Sequence, residues 1–251
     1  MRGDIGDSNR EFEKAEKLQR ENEGTRPWLL MDHGFYYRLL KLDVASTREE
    51  LDHILKDAQG AGGPDQSWLA PLGLDQLVKG IVLSRMGDMS SAAALFKEAK
   101  ETLRESGFVA YLPYYYNAKA RFEIARNRLD DAMEDAAEAE DIASNYGMPL
   151  LKADAYLTAA EVYIARRSAD DAAAAVTQAT GLVTAHGYGL RRIDIDLLEG
   201  QVALLKGRWP DSSIRLLEQV GKAIDETGRN SLRERWKESL AAARERAVSY
   251  R

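Results

Sequence analysis

Apolar and polar positions along the chain recur with a period of forty residues. Gly107, Gly147 and Gly187 are 40 apart, each where a helical pattern breaks off, and each precedes a bulky apolar residue: Phe108, Met148, Tyr188. Two further steps back from Phe108 reach Trp68 and Trp28. Ala92, Ala132, Ala172 and Ser212 form a second column, and Ala99, Ala139 and Ala179 a third. Phe96, Ala136, Val176 and Leu216 make the fourth. Within one period lie two amphipathic stretches. Asp154–Arg166 puts Tyr156, Ala159, Ala160, Tyr163 and Ile164 on one face at three- and four-residue spacing, and Asp170–His186 does the same with Ala172, Val176, Ala179 and Val183. The break between them is Gly87-Asp88, Asn127 or Gly207 in different rows, residues that tolerate left-handed backbone. Asp88 and Ser90, Asp130 and Asp131, and Asp170 and Asp171 stand where the next helix needs its N-cap and first-turn acids.

The pattern predicts an all-α chain without sheet, built as an α-α superhelix of about five helix pairs. Twelve helices are expected: an N-terminal half-repeat (1–24), rows at about 27–66, 67–107, 108–147, 148–187 and 188–228, and a capping helix at 231–250. In the cap, Leu232, Trp236, Leu240 and Ala243 are predicted to face inward and Arg233, Arg235, Lys237, Glu238, Arg244 and Glu245 outward. The glycine-rich stretch 59–66 reads as a flexible connector, and the row before it is out of phase, with Leu51, Leu55 and Ala58 one residue early. Gly3–Ser8 aligns with Gly87–Ala92 at an offset of 84, so Phe12, Ala15 and Leu18 belong to the second helix of a row whose first helix is missing. That favours a fragment of something longer, the other reading being a homodimer through the exposed N-terminal helix.

The row resembles a tetratricopeptide repeat. Tyr156, Ala159, Ala160, Tyr163, Ala172, Val176 and Ala179 fall at the consensus spacings, as do Gly80, Leu83, Ala92, Phe96 and Ala99, and Gly200, Ala203, Ser212 and Leu216. The closing proline of the consensus is missing, and the row has 40 residues rather than 34. The stretches NYGMPLLKADAYLTAAEVYIARR, AHGYGLRRIDIDLL and FEKAEKLQRE…PWLLMDHGFYYRLL resemble the C-terminal repeat regions of bacterial STAND-class signal-transducing NTPases. That resemblance implies a sensor segment read by an upstream NTPase module. The Lys/Asn/Arg clamp with which chaperone-binding members hold a C-terminal carboxylate is not reproduced, since Leu77 and Ile81 occupy its first places.

Composition narrows the chemistry. Cysteine is absent, which excludes disulfides and thiolate chemistry and fits a cytoplasmic setting. The first twenty residues are charged and lack an apolar core, so no signal peptide is read there, and no window approaches a membrane span. A net charge of −6 and a pI near 5.3 argue against nucleic acid as partner. The run Gly60–Gly63 lacks Gly-Lys-Ser/Thr, and His33, His53 and His186 share no metal-ligand spacing, so neither cofactor nor metal is expected, and no enzyme. Paired aspartates at helix starts read as caps rather than as acid/base pairs. The expected function is a non-catalytic protein- or peptide-binding scaffold; a small-molecule sensor in the same groove and a structural homo-oligomerisation module are the alternatives. The first helices should line the concave surface. Leu74, Leu77 and Ile81 come from one row, Tyr114, Asn117, Arg121 and Ile124 from the next. Asp154, Leu157, Glu161 and Ile164, then Asp194, Leu197, Gln201 and Leu204, follow. Tyr114 and Tyr115 have no packing reason to be aromatic, which tilts the reading towards recognition.

Overall fold

A computed structural model describes residues 7, 8, 10–14, 17, 27–58, 69–207 and 210–249. The expectations placed on Ala15, Leu18, Trp68, the connector 59–66 and the side chain of Trp28 lie outside the described residues. Among the described residues there are α-helices and short 3-10 turns and no strand. The bounded helices are α1 (Pro27–Val44), α2 (Arg48–Asp57), α3 (Leu69–Arg85), α4 (Met89–Glu105), α5 (Leu112–Ala125) and α6 (Leu129–Asn145). They continue with α7 (Pro149–Ala165), α8 (Ala169–Ala185), α9 (Arg192–Leu205), α10 (Pro210–Thr227) and α11 (Arg233–Ser249). Residues 7, 8, 10–14 and 17 are also helical, and Phe12 stacks on Tyr37 with ring centroids 5.2 Å apart.

The chain forms two compact units divided within α5, between Tyr115 and Tyr116. In the N-terminal unit α1 packs on α2 and α3, and α3 on α4. In the C-terminal unit the contacts run α6–α7–α8–α9–α10–α11, with α7 also touching α9 and α9 touching α11. Helices therefore pack with their sequence neighbours, and first helices of pairs also pack, two steps on, with the first helix of the next pair or with the final helix.

Two columns of left-handed backbone punctuate the chain. The turn inside each row places Gly87, Asn127, Arg167 and Gly207 at φ of 87°, 58°, 61° and 63°. The turn between rows places Gly107, Gly147, Gly187 and Gly228 at 71°, 63°, 62° and 71°. The turns at Gly87, Asn127 and Arg167 are each closed by an amide reaching back to the last helical turn: Asp88 N to Leu83 O, Arg128 N to Glu123 O and Ser168 N to Tyr163 O, all at 2.9 Å. The sequence expectation named the glycines and Asn127 but not Arg167, because arginine carries no left-handed preference. Arg167 is exposed, so its side chain contributes little packing to offset the backbone cost. Arg167→Gly is expected to stabilise the protein by roughly 0.5–1 kcal/mol, checked by urea denaturation; a lower midpoint would show that the arginine side chain holds the turn.

The helix starts follow their predicted chemistry. Asp88 caps α4 by accepting from Ser91 N (3.1 Å), and Asp130, Asp131, Asp170 and Asp171 sit in first turns. Thr47 and Glu50 form a capping box on α2, a Thr-x-x-Glu signal legible in the sequence. The first helix of the 148–187 row begins earlier than the amphipathic stretch suggested, because Pro149 at its first turn sets a helical φ. Carbonyls at the end of α1 accept from an arginine a row away, Arg85 reaching Leu42 and Ala45, and Arg166 reaches the carbonyl of Leu129 at the start of α6 at 3.0 Å.

The core is the set of predicted small and apolar columns. Ala92, Ala132 and Ala172, and Ala99, Ala139 and Ala179, are fully buried. Two registers are corrected. In α2 the buried set is Leu51, Ile54 and Ala58, with Leu55 half-buried. In α10 Ser213 and Leu217 are buried where Ser212 and Leu216 were expected. Gly87 to Gly107, Asn127 to Gly147 and Arg167 to Gly187 each span 20 residues, but Gly207 to Gly228 spans 21, so the last row carries one extra residue. The capping helix buries Leu240 and Ala243 as expected, and Leu232 is buried in the 3-10 turn just before it, while Trp236 is partly buried and donates from Nε1 to Leu217 O at 2.6 Å.

Candidate functional site

The residues predicted to line one surface separate into three groups once their helices are packed. A helix flanked by its own partner and by the corresponding helices of adjacent rows keeps only a narrow stripe of its surface. Leu74, Leu77, Asn117, Leu157 and Leu197 are buried, and Asp154 and Asp194 are too, which corrects the expectation that they face an open groove. The column Ile81, Arg121, Glu161 and Gln201 stays half-buried, as do Ile124, Ile164 and Leu204. Tyr114 is half-buried for a structural reason. In the N-terminal unit its ring meets Phe35 edge-on at 5.4 Å and Tyr36 at 5.9 Å. Tyr115 is buried, edge-on to Phe96 at 6.2 Å, so both tyrosines have packing partners that the sequence concealed.

Asp154 and Asp194 serve as clips between neighbouring rows. Arg191 grips Asp154 with two bonds, Nε to Oδ1 at 2.6 Å and Nη2 to Oδ2 at 3.1 Å. Arg229 donates to Asp194 and also to Leu190 O at 2.8 Å. Burial would raise the Asp194 carboxyl, but Arg229 and then Arg191 outweigh it and hold it down at about 2. The N-terminal unit repeats the device, with Arg38 Nη2 at 2.6 Å from Asp75 Oδ1. There burial dominates, and Asp75 is pushed up to about 6 despite Arg38 and Lys79. The arginines lie 37, 35 and 37 residues from their aspartates, close to one period.

Glu161 of α7 is where the half-buried column becomes a site. Arg121 of α5 donates from Nε to Glu161 Oε2 at 3.0 Å, and Arg235 of α11 donates from Nη1 to Oε1 at 2.7 Å. Burial would raise the Glu161 carboxyl, but the guanidiniums of Arg121 and Arg235 prevail and hold it below the usual glutamate range. Arg235 was predicted to face outward; it turns inward because Glu161 offers a carboxylate that is itself only 10% exposed. Gln201 of α9 lies on the same column and donates to Ser239 Oγ at 2.9 Å. Arg121 remains 39% exposed, and among the described residues it engages Glu161 through Nε–H, a geometry in which the outer side of its donor fork can meet an incoming acceptor. The arrangement can hold carboxylates and amide carbonyls by charge-assisted hydrogen bonds.

Other chemistry is limited. Among the described residues no group of three His, Cys, Asp or Glu is placed to hold a metal ion. No described helix is long and apolar enough to cross a membrane. The chain matches no protein-family model, and no curated protein matches it.

Proposed function

We propose that this chain is a tetratricopeptide-like helical array that binds a protein or peptide and catalyses nothing itself. The observation that carries the reading is the meeting of Arg121 and Arg235 on Glu161. These three residues lie on α5, α11 and α7, and Arg235 reaches a carboxylate 74 positions earlier, past the whole of α9. Side chains converge like this on the inner side of a superhelix, where successive first helices draw together. Such a surface is suited to an extended chain, whose carbonyls and acidic side chains match the partly exposed guanidinium of Arg121. The forty-residue recurrence of left-handed turns and the contacts of α9 with both α7 and α11 support the same architecture. The resemblance to STAND-class sensors gives the setting: a segment that reports the bound partner to a signalling module.

The test is selection of displayed random peptides on the immobilised full chain, followed by affinity measurement on purified hits. Arg121→Ala is expected to weaken binding by about thirtyfold if this residue anchors the interface, equivalent to roughly 2 kcal/mol. Glu138→Lys, on the exposed side of α6, should leave it nearly unchanged. Peptides that bind the Arg121 variant as well as wild type but are lost on Glu138→Lys would place the partner on the second helices instead. Tyr114→Ala is a poor probe, because it also disrupts the contacts with Phe35 and Tyr36.

A further inference from the structure

The C-terminal unit holds a half-open cavity of about 300 Å³ between α6, α7 and α8, remote in residue type from the arginine column. Its two ends are chemically alike. At one end Tyr156 donates its hydroxyl to Glu140 at 2.8 Å, and both line the cavity. At the other, Tyr163 lies at the end of α7 and Asp171 in the first turn of α8, joined through the turn where Ser168 N bonds Tyr163 O and Ser168 Oγ donates to Asp171. Between the ends the lining is mostly short and apolar, with Ala155 and Ala159 from α7 and Ala136 and Ala175 from its neighbours, joined by the longer Met133 and one amide, Gln178. Seven residues separate Tyr156 from Tyr163, which at 1.5 Å per residue is about 10 Å.

A carboxylate and a phenol at each end of an alanine floor form a recognisable pattern of complementarity. Aromatic rings and carboxylates attract ammonium groups, and a methylene chain fits the floor. No arginine or lysine lines the cavity. One cation already responds to this field: Lys152 Nζ stands 5.6 Å from the Tyr156 ring centroid and 3.7 Å from Glu140 Oε1. The corresponding groove one row later provides an internal comparison. Positions forty residues after Glu140, Tyr156, Tyr163 and Asp171 are Thr180, Asp196, Ala203 and Asp211; of these Ala203 lines the later groove, together with Glu199 and Lys206. The repeat framework therefore supplies the groove but does not demand this chemistry.

We propose that the cavity between α6, α7 and α8 is a binding site for a linear alkyl diammonium ligand, one ammonium at Glu140 and Tyr156 and the other at Asp171 and Tyr163. Its size is at the small end of ligand pockets, which suits a single slender chain. The site is separate from the peptide reading and does not depend on it.

The experiment is a titration of the full chain with hexamethylenediamine dihydrochloride at low ionic strength, followed by amide chemical shifts. Saturable shifts confined to α6, α7 and α8 are expected. Hexylamine, with one ammonium, should bind about three- to thirtyfold more weakly, and hexanediol should not compete. Glu140→Gln should weaken the diamine by up to about fivefold, whereas Lys152→Met, which removes the resident cation, should tighten it by up to about fivefold. Glu138→Gln, on the same acidic helix but away from the lining, should change nothing. Equal binding of hexanediol would make the cavity merely apolar and overturn the proposal. Shifts spread over the acidic surface and insensitive to Glu140→Gln, no saturable shift at all, or no effect of Lys152→Met would overturn it as well.

Discussion

Arg229→Met is expected to destabilise the protein by about 3–5 kcal/mol, the range for removing one partner of a buried ion pair. Arg229 is only 1% exposed, and its guanidinium serves both Asp194 and the carbonyl of Leu190. Methionine fills much of the volume but leaves the Asp194 carboxylate buried, with Arg191 (Nη1 at 3.9 Å) and the weaker influence of Arg235 as the cations still acting on it. Urea denaturation at neutral pH measures the loss, and Arg229→Met combined with Asp194→Asn should recover part of it, because no uncompensated charge then remains. The pH dependence has a definite sign. In the wild type Asp194 is held below its ordinary value of 3.8, so its contribution is present above that value and is lost as pH falls towards about 2. In the variant burial is opposed by Arg191 and Arg235 without the direct bonds of Arg229, so the carboxyl rises from its wild-type value and the deficit should shrink as pH is lowered and the group takes up a proton. A variant within about 1 kcal/mol of wild type would mean that water replaces the guanidinium.

Phe96→Ala should cost about 3–5 kcal/mol in the N-terminal unit. The ring is fully buried and lies beneath Gly80, where a methyl group in place of the glycine hydrogen would approach its Cδ2 at 3.4 Å, and it meets Tyr115 edge-on. The same pairing of a large second-helix residue with a first-helix glycine recurs at Leu217 and Gly200, where an added Cβ would come within 2.8 Å of the leucine. The missing ring therefore opens a cavity that a glycine cannot fill. Denaturation followed by the aromatic signals of the N-terminal unit checks this; a loss under about 1 kcal/mol would show that Leu103 or Tyr115 relaxes into the space.

The sequence by itself determined most of the turns and caps at which helices begin and end, because those signals are local. Glycine or asparagine is needed where φ is positive, an aspartate where a helix leaves its first amides unpaired, and a small residue where two helices cross closely. Gly107, Asp88 and Ala139 could therefore be read one at a time. Arg167 escaped because its left-handed turn is imposed by the row around it, and the register of Leu217 escaped because one extra residue in the last row offset the forty-residue count. Only the tertiary structure decided which polar residues are free to act. Asp154, Asp194, Tyr114 and Arg235 carry no local mark that distinguishes a partner-binding group from a clip between rows. Their role depends on whether an arginine or a ring from another helix arrives within about 3–6 Å, and that distance is set by how successive helix pairs stack. The Arg121–Glu161–Arg235 meeting and the cavity between Glu140 and Asp171 exist only after that stacking, which joins residues 40, 74 and 31 positions apart.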